Sequence, residues 1–184
     1  MIIEKHKAIF IHIPKTAGSA LSVYFNDKGN DKYGLSKHDN IDTIKVKFPK
    51  HKEYRKFTIV RNPYDKAVSC YFYSLETDLD LNGAIPLNFI KWIENPLNAD
   101  FTNRKLLDPQ YTFIDETVTI LKYENLNKEL SKFFKEEINL PLHNKSNFKK
   151  EYFLNYYNKY ALGIVYERYK EDFEKFNYNK IEKI

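Results

Sequence analysis

Short apolar runs alternate along this chain with stretches of helical spacing. Residues 7–13 close on Ile9-Phe10-Ile11-His12-Ile13, an apolar run of strand length. Small residues follow, and about 17–26 then read as a helix carrying Ala20-Leu21-Ser22-Val23-Tyr24-Phe25. A second strand is expected over about 56–61 and a helix over about 63–75. Asn62 stands at the cap of that helix, Pro63 at its first position and Asp65 in its first turn. The lysine-rich stretch from Lys45 to Lys56 between these two units reads as irregular. Residues 86–94 suggest a short helix, a loop-rich section runs to Asp115, and 117–122 is a third strand. A helix to about Glu137, a polar linker after Leu140-Pro141-Leu142, and one or two helices over about 149–176 complete the chain, with Gly163 a candidate break. Strands alternating with helices predict an α/β fold: a parallel sheet with helices on its faces.

The turn Pro14-Lys15-Thr16-Ala17-Gly18-Ser19 sits where strand passes into helix. In that position a chain exposes backbone N–H groups, and small residues let an anion approach them closely. Lys15 adds a mobile cation. The pattern is not the Walker loop of nucleotide triphosphatases, because the lysine precedes the glycine and no glycine lies upstream in the loop. The second strand ends in Arg61-Asn62-Pro63, so it delivers a cation where a magnesium-dependent phosphotransferase needs an acid. Of the 30 basic residues only four are arginines, Arg55, Arg61, Arg104 and Arg168. A scarce guanidinium at a strand end suits bidentate recognition of a phosphate. Ser69, two turns into the following helix, is placed to offer a hydroxyl to the same anion. Two anion sites on adjacent strands imply a ligand phosphorylated at two separated places.

Composition narrows the classes. The 184 residues suit one domain, 1–184, able to bury roughly 70% of its unfolded surface. A lone cysteine, Cys70, excludes an internal disulfide and reads as a small core residue in a reducing compartment. No apolar run reaches the ~18 residues that span a bilayer, and no signal-peptide pattern opens the chain, so the expected location is cytoplasmic. The net charge of +5 is spread over scattered lysines, which argues against a nucleic-acid partner.

The segments Ile13-Pro14-Lys15-Thr16-Ala17-Gly18-Ser19 and Ile59-Val60-Arg61-Asn62-Pro63-Tyr64, followed by Ser69, resemble the 5′-phosphosulfate loop and the 3′-phosphate segment of sulfotransferases. The nearest subgroup is that of the carbohydrate enzymes, the heparan 2-O- and chondroitin types. Weaker likenesses at Leu121–Leu126, Leu142–Ser146 and the terminal aromatic helix follow in the family's order. Lys66 stands where many relatives carry arginine, keeping the charge but not the fork. The resemblance implies a three-layer α/β/α domain with a central parallel sheet, the P-loop nucleotide-kinase-like sulfotransferase fold. It implies 3′-phosphoadenosine-5′-phosphosulfate (PAPS) as sulfate donor, no metal, and a hydroxyl acceptor, with a saccharide the expected class.

Lys15, Thr16, Ala17, Gly18 and Ser19 would then hold the donor's 5′ end, with Lys15 also the cation for the leaving group, and Arg61 with Ser69 the 3′-phosphate. His38 in the loop between the anion motifs occupies the place of the subgroup's catalytic histidine, with Glu124 the competing base. Gln110 and Glu124 are candidates for the acceptor side, and Asn144, Lys145 and Ser146 for closing over the donor. Among the other histidines, His12 reads as structural, His6 and His51 as solvated, and His143 as either. A nucleotide or small-molecule kinase and a non-catalytic nucleotide-binding module are the alternatives.

Overall fold

A computed structural model describes residues 1–26, 33–77, 88–94, 105–140 and 150–183. Asn144, Lys145, Ser146 and His143 lie outside the described residues. The chain divides into two compact units, one of residues 1–61 with 110–144 and one of 62–109 with 145–184. Among the described residues the fold is mixed α/β, with four strands and seven helices.

The first unit holds the sheet. Its strands are β1 (Ile2–Ile3), β2 (Ala8–Ile11), β3 (Arg55–Val60) and β4 (Val118–Lys122), paired in that order. β2, β3 and β4 run parallel, as the strand–helix alternation predicts, and β1 adds an antiparallel edge. Every residue of β2 is buried, which is why it reads as an unbroken apolar run rather than an alternating one. Phe10 pairs with Phe57 in register, their rings stacked 5.2 Å apart. On the same face as these rings lie Ala8, Ile59 and Leu121, covered by Leu21 of α1 (Gly18–Tyr24) and by Leu130 and Phe134 of α5 (Leu126–Phe134). Each such side chain contributes about 1.5–3 kcal/mol by leaving water. The buried hydroxyl of Thr58 donates to the Ile11 carbonyl across the strands (2.8 Å).

The first strand is shorter than its apolar run. β2 stops at Ile11, and residues 12–17 turn away from the sheet to enter α1. The stretch expected to be irregular, from Lys45, begins inside α2 (Ile41–Lys47), whose first turn is capped by the Asn40 side chain, which accepts from the Thr43 N–H (3.0 Å). A 3₁₀ turn, Pro49–Glu53, follows it. His6 is half-buried rather than solvated, edge-on to Phe25 and Phe134. His51 is also half-buried, with its Nδ1 enclosed and unpartnered.

The described residues of the second unit are helical: α3 (Pro63–Thr77), α4 (Phe89–Glu94), a 3₁₀ segment (Lys150–Tyr156), α6 (Lys159–Arg168) and α7 (Lys170–Lys175). Asn62 does cap α3, its Oδ1 accepting from the Tyr64 N–H at 3.0 Å. Tyr64, Val68, Tyr71, Trp92, Leu162, Val165 and Phe173 form the core. Buried Tyr157 donates to the Tyr64 carbonyl (2.8 Å). Gly163 does not break the last helix; it lies exposed inside α6, and the break falls at Tyr169. Lys66, fully enclosed, donates to the carbonyls of Leu106 (3.0 Å) and Asp108 (3.3 Å), while Tyr169 donates to Leu107 (3.1 Å). Cys70, buried as expected, donates to Leu106. Three consecutive carbonyls of the 106–108 turn are thus each held by a side chain. No helix among the described residues is long and apolar enough to cross a membrane.

Candidate functional site

Ligand sites of parallel sheets form beyond the carboxyl ends of the strands. In the first unit those ends are Ile11, Val60 and Lys122, and the chain leaves them as residues 12–17, Arg61 and Tyr123.

The loop after β2 has an unusual backbone. Lys15 (φ 65°) and Ala17 (φ 70°) take left-handed conformations, whereas Thr16 between them does not. Alternating signs of φ curl a chain so that successive N–H groups face one side, the geometry of an anion-binding nest. For residues with a Cβ this conformation costs of order 1 kcal/mol each, so surrounding contacts must enforce it. Two are visible. Buried Thr16 donates its hydroxyl to the Ile13 carbonyl (2.8 Å), and Arg61 donates Nη1 to the Lys15 carbonyl (3.0 Å). Gly18 is required for closeness rather than for torsion: a Cβ there would stand 1.7 Å from Nε2 of His12. Ser19 is exposed in the first turn of α1.

Arg61 is 5% exposed. Its guanidinium lies 4.4 Å above the Tyr123 ring, a cation–π contact. Its backbone N–H donates to Oε1 of Gln110 (2.9 Å), and its carbonyl accepts from Nε2 of the same side chain (2.9 Å). Gln110, expected on the acceptor side, is fully buried in this pairing. Arg61 therefore ties together the loop after β2, the end of β4 and residue 110. Lys122, level with Val60, has its ammonium pushed below the usual lysine range by burial, against the opposing pull of Glu124 and Glu129. Glu124 is exposed in the turn Tyr123–Asn125. Ser69 is half-buried on α3 in the second unit.

His38 meets the end of β2. Its Nδ1 lies 2.9 Å from the His12 carbonyl oxygen, and the two imidazoles are 4.4 Å apart. A carbonyl can only accept, so Nδ1 carries the proton and Nε2 is the basic nitrogen of the neutral ring. The loop bearing His38 is fastened by Asp39, whose Oδ2 accepts from the Ser36 N–H (2.8 Å) and from Lys47 of α2 (3.0 Å). His12, 5% exposed, is held well below the usual histidine range by burial, then by His38, Lys37 and the N-terminus. It is neutral at pH 7 and fills the space between Phe10, Gly18 and His38. Sequence reasoning missed Tyr123 as the platform under Arg61, Asp39 as the fastener of the His38 loop, and His12 as a neighbour of both the loop and His38. Only Tyr123 left a trace, sharing the face of Leu121 two residues on.

The sulfotransferase-family sequence model matches residues 1–179, and the chain belongs to that family. No curated protein and no solved structure matches it.

Two outcomes follow from His12. Gly18→Ala forces its new Cβ into the imidazole and should cost about 1–3 kcal/mol in denaturant unfolding. In a His12→Ala background the same change should cost little, a coupling measurable by a double-mutant cycle; equal costs in both backgrounds would contradict the packing described. The second outcome is a pH effect. Between its lowered native value and about 6.5, His12 binds a proton in the unfolded chain and not in the native one, so stability falls as pH falls, by up to ~1.4 kcal/mol per pH unit. His51, also lowered by burial, acts in the same direction. His12→Gln should flatten the acid limb of a plot of unfolding free energy against pH, and an unchanged slope would refute this.

Proposed function

We propose that this sulfotransferase moves a sulfuryl group from PAPS to a hydroxyl on a saccharide. The observation that carries the reading is the bond from the Arg61 guanidinium to the Lys15 carbonyl, which joins the two motifs expected at opposite ends of one doubly phosphorylated donor. The curled, small-residue loop at 15–19 fits a tetrahedral anion, and Gly18 lets that loop pack directly against the His12 ring. In this reading both units form one sulfotransferase domain of the three-layer, P-loop nucleotide-kinase-like kind.

When bound, PAPS supplies an activated sulfuryl group on a phosphate leaving group. The chain's residues do the rest. The N–H groups of Thr16, Ala17, Gly18 and Ser19 hold the 5′ end, and Arg61 with Ser69 holds the 3′-phosphate. Nε2 of His38 takes the acceptor hydroxyl's proton as the new O–S bond forms. The His12 carbonyl, fixed at Nδ1–H, orients that ring and stabilises the imidazolium that results. Lys15 neutralises the charge that collects on the bridging oxygen as the old S–O bond breaks. Glu124, exposed beyond β4, is assigned to the acceptor side.

His38→Ala should lower kcat by about 10²–10⁴-fold while affinity for adenosine 3′,5′-bisphosphate stays unchanged; full turnover in that variant would sink the base assignment. Thermal-shift titration should show stabilisation by the bisphosphate and none by ATP with magnesium. Arg61→Lys, which keeps the charge and loses the fork, should weaken the bisphosphate by roughly 10-fold or more. The opposite ligand preference would move the protein to the kinase class.

A further inference from the structure

The end of β3 poses a problem that the sheet itself does not solve. Val60 is the last residue of β3 in register with β4, so the backbone N–H and carbonyl of Arg61 lie one residue past the ladder. Arg61 is nonetheless buried, and a buried backbone group without a partner costs as much as a lost hydrogen bond. Gln110 supplies both partners at once. Its carboxamide accepts from the Arg61 N–H and donates to the Arg61 carbonyl, each at 2.9 Å. A primary amide offers the same donor and acceptor as a peptide group, so one side chain acts as a single residue of an added strand. No water is needed, and none has room, since Gln110 is 0% exposed.

We infer that Gln110 is a positioning residue, fixing the backbone of Arg61 so that its guanidinium is delivered between the Lys15 carbonyl and the Tyr123 ring, where it can meet the donor's phosphate. With both backbone groups tied, the torsions of Arg61 are set by residue 110 rather than by the ligand, and the fork is in place before binding. This inference rests on the proposed role of Arg61 as a phosphate contact. The arrangement demands a group that both donates and accepts at position 110, which is met by a carboxamide or a protonated carboxylic acid and not by a carboxylate.

That demand gives a test that loss of packing would not mimic. Gln110→Glu is nearly isosteric. At about pH 8 its ionised carboxylate cannot donate and faces the Arg61 carbonyl, so calorimetry should find adenosine 3′,5′-bisphosphate bound about 10-fold more weakly than by the unaltered chain. Burial raises a carboxyl above its usual ~4.3. As pH is lowered toward about 5.5 the acid should take up its proton, regain the missing donor, and close the gap to the unaltered protein. Gln110→Ala should stay weak at every pH. A ratio of affinities that does not change with pH in Gln110→Glu, or bisphosphate binding undiminished in both variants, overturns the inference.

A ligand-free measurement separates this from the functional reading. Hydrogen exchange at the Arg61 amide should speed up by about 10-fold or more in Gln110→Ala while the amides of Phe57 and Ile59 keep their protection. Faster exchange at Arg61 without bisphosphate binding by the unaltered chain would count against the sulfotransferase mechanism and leave the positioning role standing. Unchanged exchange at Arg61 would remove that role outright.

Discussion

The bond between a buried guanidinium and a loop carbonyl organises the first unit. Arg61 brings a full positive charge to a place that is almost entirely out of water, which is tolerable only if its donors are used and its charge is answered. The Lys15 carbonyl and the Tyr123 face do part of this from two different strand ends. In return the arginine's bond to the Lys15 carbonyl, with that of the Thr16 hydroxyl to Ile13, holds a loop in which Lys15 and Ala17 take left-handed torsions. Strain in the loop and burial of the cation are therefore one arrangement seen from two sides.

The histidine pair follows the same economy of means. His12 contributes its carbonyl to set the tautomer of His38, and its ring to occupy the volume that a side chain at residue 18 would need. Because it stays neutral, it adds no positive charge beside the His38 ring. A polar residue that reads as structural in the sequence is structural here, and its carbonyl also sets the tautomer of its neighbour.

How much of this the sequence disclosed depends on the range of the interaction. β2 was readable because a strand buried on both faces is a continuous apolar run, and β3 from the short β-rich run Phe57-Thr58-Ile59-Val60. α3 was readable from Asn62, Pro63 and Asp65, all local signals. β1 was not, since two residues show no period. α2 escaped because it buries only Ile41 and Ile44 and leaves Val46 81% exposed, which blurs its apolar stripe. Gly163 misled because glycine lowers helix propensity without forbidding a helix packed through Ala161, Leu162 and Val165. Arg61 could be picked out by its rarity, but not its burial. The contacts of Arg61 with Gln110 and of His12 with His38 span 49 and 26 residues, and no local pattern carries such pairings.

The order of the strands also bears on how the protein is made. β3 is an inner strand only once β4 lies beside it, and the whole of residues 62–109 separates the two in the chain. On the ribosome, Phe57-Thr58-Ile59-Val60 must therefore emerge with one edge unpaired and wait for a partner not yet synthesised. Apolar strand edges of this kind recruit other chains. Arg55 and Lys56 at the start of the strand, one exposed and one half-exposed, put two positive charges beside that edge during the interval, a guard against self-association that the finished sheet no longer needs.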